Sequence, residues 1–184
     1  MVKRFCFLIL ITLFFNACGS FLCDYTRTSQ GGLRSKKLYK KYSKKTVDPS
    51  EMGIDVNSAY KMISKKYYEN KKSVTYKNPS SKKQAVLVFT KDGRHYSFFG
   101  LNSITKKQIN PLKGNLNYLI KGKKDKYHSM SYSPINCGSF SKNEIKIIRD
   151  TIMISAGSNK GHRIWYYYVK HKVPKEWLDF KSDI

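Results

Sequence analysis

Gln84-Ala85-Val86-Leu87-Val88-Phe89-Thr90-Lys91-Asp92-Gly93-Arg94-His95-Tyr96-Ser97-Phe98-Phe99 carries the strongest fold signal in the chain. Two runs rich in β-branched and aromatic residues flank Asp92-Gly93. An Asp-Gly pair at the centre of a tight loop suits a type I′ turn, which needs positive φ at both central positions. Centring the turn there opposes Phe89 to Tyr96 and Leu87 to Phe98, so one face is wholly apolar and is expected to be the core side. Thr90 with His95, and Val88 with Ser97, form a mixed outer face, which makes His95 a surface imidazole.

Working outward, Glu144–Ser155 reads as a second hairpin. A turn at Arg149-Asp150 sets Ile147 against Ile152 and Ile145 against Ile154, with Lys146 and Met153 on the other face. Arg163–Lys172 follows as a strand whose two faces, Trp165-Tyr167-Val169 and Ile164-Tyr166-Tyr168, are both aromatic or apolar. Such a strand is covered on both sides or lines a cavity. Weaker strands are expected at Ser73–Tyr76, Asn115–Lys121, Tyr127–Tyr132 and Gly138–Lys142, between Gly-, Lys- and Asn-rich turns. Val56, Tyr60, Ile63 and Tyr67 recur at helical spacing after Asp55, a suitable N-cap, and predict one short helix over 57–68. Pro174 suits the first position of a last helical turn. The fold class is mainly β, an antiparallel meander in one domain at 50–184, large enough for one modest core.

The amino terminus sets the expected address. Lys3 and Arg4 precede the apolar run Phe5–Phe15 and the small residues around Ala17, the three parts of a secretory signal peptide. The run falls short of the roughly twenty residues that span a bilayer. Leu13-Phe14-Phe15-Asn16-Ala17-Cys18 resembles the lipobox of bacterial lipoprotein precursors. Ala17 fits that pattern, whereas Phe15 and Asn16 stand where the family prefers Leu and a small residue. The resemblance implies a signal peptide at 1–17, acylation of Cys18 and anchoring in a lipid bilayer. Gly19 after the cysteine implies the outer membrane, on its periplasmic side. Cleavage after Gly19 by ordinary signal peptidase, giving a soluble secreted or periplasmic product, is the alternative.

Residues 18–49 read as a basic, flexible tether. Between Asp24 and Asp48 there is no acidic residue, while Arg34, Lys36, Lys37, Lys40, Lys41, Lys44 and Lys45 are all cationic. They suit either a membrane-surface patch beside the acyl chains or a solvated linker. The chain as a whole carries 36 Lys and Arg against 12 Asp and Glu, a net charge of +24. Such a field attracts anionic head groups or lipopolysaccharide. No helix-turn-helix, zinc-ligand or RNP-type pattern points to specific nucleic acid.

With Cys6 removed and Cys18 acylated, Cys23 and Cys137 remain. They either form a disulfide closing a loop of more than 100 residues, worth about 4–5 kcal/mol in the chain-entropy model, or Cys137 stays a buried thiol. The four histidines have no second ligand at zinc-like spacing, so neither metal nor cofactor is expected. No nucleophile elbow, P-loop or dinucleotide fingerprint occurs, and no catalytic residue is assigned.

Val88-Phe89-Thr90-Lys91-Asp92-Gly93-Arg94, Gly138-Ser139-Phe140 leading to Glu144-Ile145-Lys146-Ile147, and Trp165-Tyr166-Tyr167-Tyr168 together resemble the small β-rich lipoproteins of flavobacteria. That resemblance implies an antiparallel meander, in some members a lipocalin-like barrel, and implies no catalytic residues. If the sheet closes, Phe98, Phe99, Trp165, Tyr166, Tyr167 and Tyr168 are the candidate wall of an apolar ligand site, or else core packing. Two functions stand as expectations: a non-catalytic binding or accessory lipoprotein of the envelope, or a hydrolase (or hydrolase inhibitor) acting on envelope polymers. The second needs two carboxylates, or Cys137 and a histidine, converging in a cleft.

Overall fold

The computed structural model describes residues 25–69, 72–77, 83–133, 139–156, 162–178 and 180. The expected signal peptide, Cys18, Cys23 and Cys137 lie outside them. Two short strands, β1 (Thr26–Arg27) and β2 (Leu33–Arg34), form a separate ribbon, followed by the helix α1 (Lys36–Tyr42) and a 3-10 turn at Pro49–Met52. The body is one nine-stranded sheet: β3 (Ala59–Glu69), β4 (Lys72–Lys77), β5 (Gln84–Phe89), β6 (Arg94–Leu101), β7 (Asn115–Lys121), β8 (Tyr127–Ser133), β9 (Ser139–Ile148), β10 (Thr151–Ala156) and β11 (His162–His171). Apart from β4 and β5, which both pair with β3, successive strands pair antiparallel, and β11 returns to pair with β3 along its whole length. On its other side β3 takes β5 at Ala59–Lys61 and β4 at Ser64–Glu69. Strand β3 and strands β5 to β11 thus close an eight-stranded antiparallel barrel, consistent with a lipocalin-like fold. No helix among the described residues is long and apolar enough to cross a membrane.

The helix expected at 57–68 is instead β3. Its pairing with β11 shifts between Tyr167 and Tyr168, which face Ser64 and Met62, and leaves Ile63 as an extra residue 44% exposed. A bulge adds one residue to a period of two. Tyr60 and Met62 therefore face inward before the bulge, and Lys65 and Tyr67 after it. Tyr60, Ile63 and Tyr67 fall by this route at spacings that imitate a helix.

The Asp92-Gly93 hairpin exists, with its register moved by one residue. Phe89 faces His95, Val88 faces Tyr96, Leu87 faces Ser97 and Val86 faces Phe98. The loop is a three-residue one. Gly93 N–H donates to the Thr90 carbonyl (3.0 Å), Thr90 N–H donates to the Arg94 carbonyl (2.9 Å), and only Gly93 of the pair has positive φ, +76°. This is the type I turn with a left-handed glycine that forms a bulge, rather than type I′. A one-residue slip reverses the facing of one strand against the other, so His95 moves inside. The second hairpin has the expected register, with Ile147 opposite Ile152 and Ile145 opposite Ile154.

Closure gives the sheet two cores. Inside, Leu87, Phe89, Leu119, Ile145, Ile152 and Tyr168 pack with Tyr60 and with Ile54, Val47, Met52 and Val56, which seal one end. Outside, Val86, Val88, Tyr96, Phe98, Leu116, Tyr118 and Met130 are covered by Leu38, Leu101, Ile109 and the carboxy-terminal Trp177, Leu178 and Phe180. From Tyr25 on, the expected tether is thus folded onto the barrel. Ser35 caps α1 by accepting from Leu38 N–H (3.1 Å), Leu38 is 1% exposed, and Thr46 bridges to Ile120 in β7. The folded unit begins some twenty-five residues before 50 because a covered outer face needs those residues as its cover.

The crossing point is tight. A Cβ on Gly93 would strike the Val47 carbonyl and the Thr46 side chain. Gly93→Ala is expected to destabilise by about 2 kcal/mol or more, through both the left-handed φ and this clash, read as the shift of a urea unfolding midpoint. Leu38→Ala is expected to cost about 2–4 kcal/mol in the same measurement, whereas a substitution in a free tether would leave the midpoint unmoved.

Candidate functional site: the barrel interior

Alternation along the strands decides what the interior contains. From β6 come His95 and Ser97, from β7 Asn115 and Asn117, from β8 Ser129 and Ser131, and from β9 Asn143. These seven polar residues sit on four consecutive strands and form one wall. Leu87 of β5, Ile154, Ser155 and Ala156 of β10, and Tyr166 and Tyr168 of β11 form the facing wall, with Tyr132 of β8 and Phe99, 61% exposed, completing the lining. Between the walls is a cavity of about 250 Å³. A wider groove of about 670 Å³ lies between Val56-Asn57, Phe89-Thr90-Lys91, Lys175-Glu176, Leu178 and Phe180, but none of its polar residues is buried. The interior cavity is therefore the better-built site.

Hydrogen bonds hold the polar wall in place. Asn117 Nδ2 donates to Ser97 Oγ (3.1 Å) and to the Asn115 carbonyl (2.9 Å), and Asn143 Nδ2 donates to Ser131 Oγ (3.0 Å). His95 Nε2 lies 2.8 Å from Ser129 Oγ, and its ring stacks on Phe89 with centroids 5.0 Å apart. The imidazole is 2% exposed, and its Nδ1 has no hydrogen-bond partner among the described residues. Burial without a carboxylate beside it lowers its pKa from 6.5 to about 3, so it is neutral at physiological pH. Burial raises the Tyr166 and Tyr168 phenols, which stay protonated. None of the residues lining the cavity carries a formal charge near neutrality. Lys65 of β3 stands opposite Tyr166, and its ammonium lies over the Tyr67 ring at 5.3 Å.

At the sealed end, Asp55 organises the plug. It accepts from Asn57 N–H (2.8 Å) and Ser58 Oγ (2.9 Å), and pairs with Lys170 at 2.6 Å. Its backbone N–H donates to the Tyr60 hydroxyl at 2.7 Å. The hydrogen bond from Lys170 is the main cause of a pKa near 2.

Of the six expected wall residues, Phe99, Tyr166 and Tyr168 line the cavity. Phe98, Trp165 and Tyr167 face outward. Phe98 is packed in the outer core, and Trp165 lies beneath Lys146 (5.1 Å) and Arg163 (5.6 Å). Consecutive strand residues point to opposite faces, so a continuous aromatic run cannot line one wall. The expected basic patch also divides. Lys36, Lys37, Lys40, Lys41, Lys44 and Lys45 are exposed on and after α1, whereas Arg34 is turned inward. Its guanidinium donates to the Pro111 and Gly114 carbonyls (both 2.8 Å) and lies 5.5 Å from the Tyr96 ring centroid. The polar wall escaped the sequence reading. Its signal was present as His95-x-Ser97, Asn115-x-Asn117 and Ser129-x-Ser131, polar pairs at strand spacing within three expected strands. Among the described residues no group of three His, Cys, Asp or Glu side chains could hold a metal ion.

The histidine gives a pH signature. The unfolded chain takes up a proton near pH 6.5, while the folded one resists until about pH 3. The unfolded state therefore binds more protons between these values, and stability falls as pH falls through that window, by up to about 1.4 kcal/mol per pH unit. His95→Gln is expected to reduce this slope between pH 6.5 and 4 in urea titrations, leaving the part due to His128, whose pKa burial also lowers. Asp55 adds its own loss only below pH 3.8, and this part persists in the variant.

Compared with models of protein families, with curated proteins and with solved structures, the chain matches none.

Proposed function

We propose that this chain is an envelope lipoprotein that binds a small molecule inside its barrel and does not transform it. The observation that carries the reading is the interior cavity itself. A self-sufficient core of eight strands is filled by its own side chains, whereas this one leaves about 250 Å³ between a polar and an apolar wall. Interiors are otherwise packed like organic crystals, with few voids larger than a water molecule. The hydrolase reading asks for converging carboxylates or for Cys137. The lining residues include no carboxylate, and Cys137 lies outside the described residues.

The address rests on Cys18. Six residues, and so seven Cα–Cα steps, separate it from Tyr25, where the folded unit begins. At about 3.5 Å per residue the barrel can stand no more than roughly 25 Å from an acyl anchor there. The six exposed lysines on and after α1 belong to the same end of the chain. Against an anionic surface each contributes about 1 kcal/mol at most. The acyl chains supply the lasting attachment, since a single chain alone binds only reversibly.

One experiment reads both parts. Cells are fed an alkyne-tagged fatty acid, and the full-length protein is isolated in mild detergent for native mass spectrometry. The expected result is a tag that is lost in Cys18→Ala, together with a further non-covalent mass that leaves on denaturation. A tag that persists in Cys18→Ala overturns the anchoring. A folded, tagged protein that never carries extra mass, even when small molecules are added, overturns the binding role.

A further inference from the structure

We propose that the barrel sits mouth-down on an anionic lipid bilayer, with Phe99 and Phe140 at its open rim seated among the head groups. This rests on the reading of Cys18 as an acyl anchor and adds which surface of the folded unit meets the membrane. Three observations lead to it.

The first is where the chain leaves the fold. Antiparallel pairing puts the last residues of β3, β6, β8 and β10 and the first of β5, β7, β9 and β11 at one end, opposite the Asp55 plug. Tyr25, the first described residue, packs its ring on Tyr132 near the end of β8, with centroids 5.9 Å apart. The six residues back to Cys18 therefore start from the open end. The sealed end lies a strand's length away, on the order of 20 Å. Placing that end on the bilayer would use most of the tether's full reach of roughly 25 Å. The open end needs no such stretch.

The rim itself is the second observation. Tyr132 stands opposite Phe140 of β9, and their ring centroids are 5.7 Å apart. Tyr25, Tyr132 and Phe140 thus form a continuous run of rings. Phe140 is 40% exposed, and Phe99, near the end of β6, is the most exposed large apolar residue among those described. An exposed apolar side chain standing singly is ordinary, as Ile148 is at the sealed end. Several aromatic rings gathered at one end are not, and such rings settle at the level of lipid head groups.

The third is where the acid lies. Nine acidic residues fall in the described segments. Asp92, Asp125 and Asp150 occupy the hairpin turns of the sealed end, and Asp48, Glu51, Asp55 and Glu176 the plug and the segments beside it. Glu144 is held on the outer side of β9 by Lys146 and Arg163, both at 3.3 Å. Among the described residues Glu69 alone stands at the open end. Cations occur at both ends, and around the mouth Arg27, Lys83, Lys106 and Lys107 are exposed. An anionic surface meets its own charge repeatedly at the sealed end and once at the open end.

The test places the full-length, acylated protein in nanodiscs of phosphatidylglycerol and phosphatidylcholine that carry a trace of gadolinium-chelating lipid. NMR then reads which amides the label broadens. The strongest broadening is expected at Phe99–Leu101 and Ser139–Ser141, and the weakest at Asp92-Gly93 and Arg149-Asp150. Phe99→Ser combined with Phe140→Ser, both at exposed positions, is expected to lose the rim broadening while the protein stays on the disc. Broadening at the sealed-end turns, or along Lys40–Lys45 with the rim spared, overturns the orientation and leaves the anchoring standing. So does uniform weak broadening, the mark of a barrel swinging on its tether, or unchanged rim broadening in the double variant. Rim resonances that shift without broadening report a second protein copy covering the rim, and overturn it too. Protein that leaves the discs at high salt overturns the anchoring and the orientation together.

Discussion

Ten residue pairs join β11 to β3, from His162 opposite Glu69 to His171 opposite Ala59, and this seam turns a sheet into a barrel. Hydrogen bonding there removes two edges that would otherwise template association. It also imposes the constraint from which the rest follows. In a closed barrel every strand sends alternate side chains to a confined interior, and the outer line must either face water or be covered. Here much of the outer line of β5 to β8 is apolar. Tyr96 and Tyr118 are 0% and 1% exposed although they point away from the barrel axis. The amino-terminal strap, the 101–114 loop and the carboxy-terminal segment lie over that face, and their docking follows from its chemistry.

The interior obeys a second division, along the barrel axis and around it. Aliphatic and aromatic residues fill the sealed end, where Asp55, Lys170 and Tyr60 fix the plug. Towards the open end, β6 to β9 replace core residues with His, Ser and Asn. Such groups cost stability unless they bond one another. The pairs of Asn117 with Ser97, Asn143 with Ser131 and His95 with Ser129 meet most of that requirement. Nδ1 of His95 is left without a partner among the described residues.

Strand content was largely legible in the sequence. Asn115–Lys121 was read to the residue, and the Arg149-Asp150 turn fixed the register of β9 and β10. Three features were not legible, each for a physical reason. The bulge at Ile63 gave β3 a false helical period. In the Asp92-Gly93 loop, one left-handed residue was enough where the type I′ reading needed two, and the resulting slip hid His95 from view. Lysine-rich composition concealed Leu38, a single apolar residue whose burial turns a supposed linker into part of the fold. The candidate site was less legible still. The aromatic run 165–168 advertised an apolar wall, yet alternation sends half of it outside, and the polar wall is assembled from one or two residues on each of four strands.

The seam is also where the account is most open to direct test. Solution NMR of the detergent-solubilised protein reports backbone contacts across β3 and β11. Cross-strand NOEs linking Ala59 with His171 and Met62 with Tyr168, on either side of the bulge at Ile63, are the result this account predicts. Sequential amide contacts of helical type through residues 57–68, with no contact to 162–171, would contradict closure and with it the interior on which the binding role depends.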